Sequence, residues 1–262
     1  MKKGYILCFD SGIGGLTTLV QARRLLPKED FIYYADTVHA PYGDKPRTEV
    51  LKLTRNAIAS LKPLGLSAVL LACNAATSAG AATLRGELDM PLVGLEPAIK
   101  PALKAVDGQV IVLSTVLTVH GEKFHVLLES LPQHERVKAL GCPGLMELIE
   151  ENPQHKNIEP YLRALLRPYE QDMSALVLGC THYIFLKPLF KRLWPNIPLF
   201  DGNEGVSRRL AQIISLQGLK GGAGDLLMLC SEHGEEAQKR FAIKSQYFYD
   251  YYEKIEKEDI LV

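Results

Sequence analysis

Two cysteines stand at matching places in two near copies of one segment. Ser67-Ala68-Val69-Leu70-Leu71-Ala72-Cys73 and Ser174-Ala175-Leu176-Val177-Leu178-Gly179-Cys180 lie 107 positions apart, each an apolar run that ends in a thiol. A short continuous run rich in Val and Leu reads as a strand buried on both faces of a parallel sheet, whose carboxyl end opens onto a ligand crevice. A lone cysteine there is most simply a small apolar residue, but Ser-Ala, the apolar stretch and the thiol recur in register, which points to a role for both. Asn74 follows Cys73, Thr181-His182 follow Cys180, and Asp10 closes a further apolar strand, Tyr5 to Phe9. A carboxylate at a strand end is costly to bury without a partner or a task. A thiol with an ordinary pKa of about 8.5 becomes a usable base when positive charge or a helix N-terminus lowers it. The chemistry on offer is proton transfer by two thiols, with Asp10 and His182 on analogous strand ends to orient them or exchange protons with them.

Alternating elements must carry these groups. Strand-like runs at Gly4 to Asp10, Phe31 to Tyr34, Ala68 to Ala72, Leu92 to Leu95, Val110 to Leu113, Val137 to Leu140, Leu176 to Gly179 and Pro198 to Phe200 are separated by stretches with helical spacing, such as Leu16 to Leu26, Thr48 to Leu61 and Ile158 to Tyr169. That pattern predicts an α/β fold with mainly parallel sheets covered by helices. Ile6 to Ser11 and Val110 to Thr115 form a second matched pair at an offset of 104, so the chain reads as two duplicated lobes. Residues 1–96 and 208–262 are expected to form the first lobe, with Cys73, and residues 97–207 the second, with Cys180. The turn Gly12-Ile13-Gly14-Gly15 leads into a helix whose start could hold an anion such as a carboxylate, although its spacing is neither a dinucleotide fingerprint nor a P-loop.

The bulk properties exclude several classes. Thirty basic and thirty acidic residues cancel in a chain of 262, so no net field favours nucleic acid or an anionic membrane surface, and a small polar ligand is the expected partner. With 47% hydrophobic and 23% charged residues the composition is that of a globular protein. The start has no signal-peptide pattern and no apolar run nears the roughly 18 residues of a membrane span, which predicts a cytoplasmic location. Five cysteines without paired spacing predict reduced thiols.

Four motifs in order, Phe9-Asp10-Ser11-Gly12-x-Gly14-Gly15-Leu16, Asp36-Thr37 with Pro41-Tyr42-Gly43, Ala72-Cys73-Asn74 and Gly179-Cys180-Thr181-His182, resemble the glutamate racemase family over most of the chain up to about residue 240. The resemblance implies a cofactor-independent, metal-free racemase that interconverts L- and D-glutamate and supplies D-glutamate for peptidoglycan. It also implies two lobes facing each other across the substrate, the last segment returning to the first lobe, and a homodimer. Carried over residue by residue, Cys73, Cys180, Asp10 and His182 are catalytic. Asp10, Ser11, Pro41, Tyr42, Gly43, Cys73, Asn74, Ala75, Thr115, Thr118, Glu150, Cys180, Thr181 and His182 contact substrate, with Glu150 placed through Cys142-Pro143 and the helix-like residues that follow. Cys73 then serves D-glutamate, assisted by Asp10, and Cys180 serves L-glutamate, assisted by His182.

Inverting a stereocentre by proton transfer needs removal on one face and return on the other, which two opposed thiols provide. Donors must also stabilise the carbanion, and backbone amides near Ser11 and Asn74 with the hydroxyls of Ser11, Thr115, Thr118 and Thr181 are candidates. The chain departs from the family in Ala75-Ala76-Thr77, where threonine commonly follows Cys-Asn, and in His182-Tyr183-Ile184, where a proline is usual. A tail with Tyr247, Phe248, Tyr249, Tyr251 and Tyr252 is expected to dock on the body or on a partner subunit. Cys8 and Cys230 read as core residues, and the other six histidines as surface or loop residues. Three alternatives stay open: a zinc site at Cys73, Cys180 and His182, without the usual Cys-x-x-Cys pairing; a non-catalytic amino-acid-binding protein; and a racemase of aspartate or another acidic amino acid.

Overall fold

The computed structural model describes residues 4–218 and 221–260. Among the described residues nine strands form two wholly parallel sheets. β1 (Tyr5–Asp10), β2 (Phe31–Ala35), β3 (Leu66–Leu71), β4 (Leu92–Gly94) and β9 (Leu226–Cys230) make the first, in the order β4-β3-β1-β2-β9. β5 (Gln109–Ser114), β6 (Val137–Gly141), β7 (Met173–Leu178) and β8 (Leu199–Asp201) make the second, in the order β6-β5-β7-β8. Without β9 the two orders are equivalent, β1 matching β5, β2 matching β6, β3 matching β7 and β4 matching β8. The register repeats too: Phe9 lies beside Leu71 as Leu113 lies beside Leu178. Each central strand begins with an irregularity, at Tyr5/Ile6 and at Gln109/Val110.

Both faces of the sheets are covered, which is why the strands read as continuous apolar runs rather than alternating ones. On one face of the first sheet Leu7, Phe9, Val69 and Leu71 pack with Val50, Ile58 and Leu61 of the helix Arg47–Leu61 and with Ala76, Ala79 and Leu84 of the helix Asn74–Glu87. Val50, Thr54, Ala57, Ile58 and Leu61 form the buried stripe of an amphipathic helix. The opposite faces of both sheets share one continuous core, in which Ile6, Cys8 and Leu70 of the first join Ile111, Leu113 and Leu176 of the second. The chain passes into the second sheet between Gly94 and the helix Ile99–Ala105, whose Ile99, Ala102 and Leu103 cover Val110, Val112 and Val177. After β8 it enters the helix Asn203–Leu216, which packs along the helix Leu16–Leu25, and Thr18 Oγ1 donates to Asn203 Oδ1 at 2.6 Å.

The C-terminal helix Glu235–Ile260 lies on the body of the chain. Phe241 stacks on Tyr33, and Phe248 and Tyr252 meet Phe185 edge to face at 5.0 and 6.1 Å between ring centres. The aromatic tail therefore docks within the chain, while Tyr247 on the same helix faces solvent. Among the described residues no helix is long and apolar enough to cross a membrane.

Candidate active site

Cys73 and Cys180 each sit two residues beyond the last residue of an equivalent strand, β3 and β7. Matching backbone bonds bring the chain to that point, Ala72 N–H to Phe9 O at 2.8 Å and Gly179 N–H to Leu113 O at 2.7 Å. Both thiols are almost fully enclosed, at 5% and 6% exposure. Beyond them the symmetry breaks. Cys73 caps the helix Asn74–Glu87, its Sγ accepting from the Ala76 N–H at 3.4 Å, whereas Cys180 leads into a tight 3-10 helix, Thr181–Leu186, and makes no such cap. The third turn residue after each cysteine differs in kind, Ala76 against Tyr183, and the bulk of Tyr183, Phe185 and Leu186 is sunk into the core.

The groups beside the thiols are not equivalent either. The lobe repeat matches Asp10, the last residue of β1, with Ser114, the last residue of β5, and Ser114 is spent on a bond to the Gly179 carbonyl at 2.6 Å. Asp10 and His182 are thus not on analogous strand ends, because the second lobe puts its helper on the loop of the thiol itself. Asp10 reaches Cys73 from the neighbouring strand, and Ser11 Oγ lies 3.7 Å from Cys73 Sγ. His182 Nδ1 lies 3.9 Å from Cys180 Sγ, and its Nε2 donates to Glu150 Oε1 at 2.8 Å.

The glycine-rich turn holds anions, but they are the protein's own. Asp10 Oδ1 accepts from the Ser11 N–H at 2.8 Å and Oδ2 from the Gly15 N–H at 2.5 Å, while Glu150 Oε1 accepts from the Ile13 N–H at 3.2 Å. The amide of Ser11 is therefore committed to Asp10 and leaves the set of donors expected for substrate. A Cβ on Gly12 would collide with the Glu150 carboxylate, and one on Gly14 with His182 and Thr181, so both positions require glycine for close approach. Thr181 Oγ1 also donates to Asp10 Oδ2 at 3.5 Å, tying the second lobe to the first.

Electrostatics separate the two thiols. Burial pushes the Cys73 thiol well above its usual range, and the Asp10 carboxylate adds to the rise, against donation from Ala76 and Ser11. Burial likewise raises Asp10, opposed by the charge of His182 and by the Gly15 and Ser11 amides. Burial disfavours a charged His182, yet contact with Cys180 and Glu150 more than offsets it and lifts the imidazole to about 10. Glu150 also suffers desolvation, outweighed by His182 and Lys244, which hold it down at about 2. With Glu150 ionised its oxygen accepts, so Nε2 of His182 carries a proton, and below about pH 10 Nδ1 carries one too and faces the Cys180 sulfur as a donor.

The remaining predicted residues surround this centre. Tyr42 packs on Phe9 and its hydroxyl donates to Asp36 Oδ2 at 2.5 Å, with His39 Nδ1 2.8 Å from the other oxygen of Asp36. Ala40-Pro41 is a cis peptide, and the loop crosses to the second lobe where the Gly43 carbonyl accepts from the Leu117 N–H at 2.9 Å and Gly43 lies against Thr115. Thr115 caps the helix Val116–His120 and its hydroxyl donates to Thr118 Oγ1 at 3.0 Å. Asn74 and Thr118 line one small recess, and Asn74 Oδ1 is buried without a partner. Ala75 is buried, and Thr77 donates to the Leu71 carbonyl at 3.4 Å and abuts Gly94, so it faces β4 and does not replace a hydroxyl at position 75. A recess of about 1000 Å³ between β4, β8 and the helix Asn203–Leu216 includes neither thiol. Among the described residues no three His, Cys, Asp or Glu side chains converge as a metal site.

Sequence reasoning missed Asp36, His39 and Lys244 as parts of this framework. Asp36 belonged to a recognised motif and could have been found; Lys244 is an ordinary lysine on an amphipathic helix and carries no local signal.

Two repeated parallel α/β lobes with paired thiols define an amino-acid racemase of the kind gathered as Asp/Glu/Hydantoin racemases, whose family model matches residues 16–208. The glutamate racemase of Halothermothrix orenii is 40% identical over 235 residues, 87% of this chain and 93% of the relative, and that of Clostridium perfringens is 43% identical over 215 residues, 80% and 83%. The chain belongs to the glutamate racemase family. The crystal structure of Escherichia coli glutamate racemase in complex with L-glutamate and the activator UDP-MurNAc-Ala superposes with a TM-score of 0.80 at 28% identity, covering 92% of this chain and 96% of that one.

Proposed function

We propose that the protein interconverts L- and D-glutamate by a two-thiol acid/base reaction without cofactor or metal, and so supplies D-glutamate for peptidoglycan. The observation that carries this reading is the pair of enclosed thiols at equivalent ends of β3 and β7, one from each lobe. The related E. coli enzyme with L-glutamate supports glutamate as the substrate. A thiolate on one side removes the α-proton while the thiol on the other delivers one, and the roles exchange for the other enantiomer. Cys73 works with Asp10 and Ser11, Cys180 with His182 and Glu150. Stabilisation of charge on the substrate carboxylate falls first to groups whose protons are not consumed internally, the Asn74 side chain and the Thr118 hydroxyl, while the Thr115 and Thr181 hydroxyls join only by turning from Thr118 and Asp10.

The test is optical rotation of purified protein with L-glutamate, D-glutamate, L-aspartate and D-aspartate and no added cofactor. Rotation should decay to zero from either glutamate enantiomer and stay nearly constant with aspartate. Racemisation of aspartate in preference, or binding of glutamate without loss of rotation, would replace this reading with one of the alternatives.

A further inference from the structure

The C-terminal helix reaches the proposed chemistry through one side chain. Phe241 stacked on Tyr33 and Phe248 against Phe185 fix the helix on either side of Lys244, and Ser245 between them is fully buried. Lys244 Nζ donates to Glu150 Oε2 at 3.1 Å. The other oxygen of Glu150 takes His182 Nε2 and the Ile13 N–H. A continuous row thus runs from ammonium to carboxylate to imidazole to the Cys180 thiol, built from the C-terminal helix, the helix Leu145–Glu151 and the loop after β7.

We infer that Lys244 is a positioning residue for His182: it holds Glu150 in one orientation and balances its charge, so that the imidazole responds as Cys180 gains and loses its proton. The inference rests on the reading of Cys180 as an acid/base group. An ionised Glu150 left with His182 alone concentrates its charge on the imidazole, which then holds its proton more tightly still. An imidazole that gives up its proton less readily is a poorer partner for proton exchange with the thiol 3.9 Å away. Lys244 shares that carboxylate and restores the balance. The other titratable groups acting on this row are Asp10, which faces His182, Cys73 and Cys142, which lie within electrostatic reach of Cys180, Tyr33 near Glu150, and Tyr183 beside Cys142 and Cys180. None of them contacts the outer oxygen of Glu150, so Lys244 has a separable effect.

Lys244→Met retains the length and apolar stem while removing the charge. In unliganded protein with isotopically labelled histidine, NMR should show the His182 ring, assigned by loss of its signal in His182→Asn, titrating higher by about half a unit. The plateau of kcat/KM should fall about three- to tenfold, with the alkaline limb of its pH profile displaced in the same direction as the ring titration. Lys244→Arg should return both to the parent values, which a loss of packing alone does not explain. An unmoved His182 titration in Lys244→Met, or an arginine variant that matches the methionine one, overturns the inference. Because the ring titration is read without substrate, it decides the role of Lys244 even if the parent protein fails to racemise glutamate, an outcome that removes the proposed reaction instead.

Discussion

The two thiols are given opposite surroundings. Cys73 stands beside a carboxylate and is partly compensated by the start of a helix, whereas Cys180 stands beside an imidazole backed by Glu150. The linkage between His182 and Glu150 makes a pH prediction with a definite sign. His182 is raised from an ordinary 6.5 to about 10, so its contribution to stability is fully present below 6.5 and is lost as pH climbs through about 10. Glu150 is lowered from 4.5 to about 2, so its contribution is present above 4.5 and is lost as pH falls through about 2. Both are fully present between about pH 4.5 and 6.5, and the His182 part declines from there towards 10. Glu150→Gln should therefore cost about 1–3 kcal/mol in urea unfolding across that window. The difference from the parent should shrink when the same melts are run near pH 10. A second test concerns Ala75, where the family's threonine is missing and Thr77 is engaged elsewhere. Ala75→Thr should lower KM for glutamate about two- to tenfold, the value of one added hydroxyl contact. An unchanged KM, with Thr77→Ala crippling turnover, would show that the hydroxyl acts from position 77 after all.

The strands and covering helices were legible because their periodicity is strong: the helix Arg47–Leu61 begins one residue before the expected Thr48, and β3 and β7 contain the two matched runs. β9 was not legible as a strand. Leu226 to Cys230 follows a glycine-rich stretch and joins an edge of the sheet nearly two hundred residues away in sequence, pairing with β2, so no local pattern announces the partner. The thiols and the Asp10 strand could be found from spacing, but the commitment of the turn amides to Asp10 and Glu150 could not, because a free amide and a capped one have the same sequence. The tail needed three dimensions as well, since its aromatic cluster fits docking on any apolar surface. Its buried stripe, Phe241, Ser245, Phe248, Tyr252 and Ile255, recurs every three or four residues and marks the docked face. Phe248→Ala opens a cavity against Phe185, three residues beyond His182, and should cost about 3–5 kcal/mol, read as a lowered melting temperature. A variant that melts with the parent would show that the helix contributes little to the folded state.

For the whole molecule, duplication supplies what one lobe cannot: a second enclosed thiol beyond an equivalent strand. Cross-lobe bonds from Thr181 to Asp10, from Ile13 to Glu150 and from Leu117 to Gly43 hold the lobes together around the enclosed thiols. The isotopic outcome follows from the two-thiol reaction proposed above. A thiol carries one proton, and the proton that Cys73 removes cannot be the one that Cys180 delivers from the opposite face. Racemisation started in deuterated water should therefore place solvent deuterium at the α-carbon of the newly formed enantiomer, while the remaining substrate stays largely protiated at early conversion. Chiral separation with mass spectrometry reads both pools. Cys73→Ala and Cys180→Ala should each stop inversion in both directions, since abstraction needs one thiol but inversion needs two. Protium carried from substrate into product in quantity, or a single-cysteine variant that still racemises well, would mean that one base acts on a substrate that turns over, and the second lobe would then be a wall of the site rather than half of its chemistry.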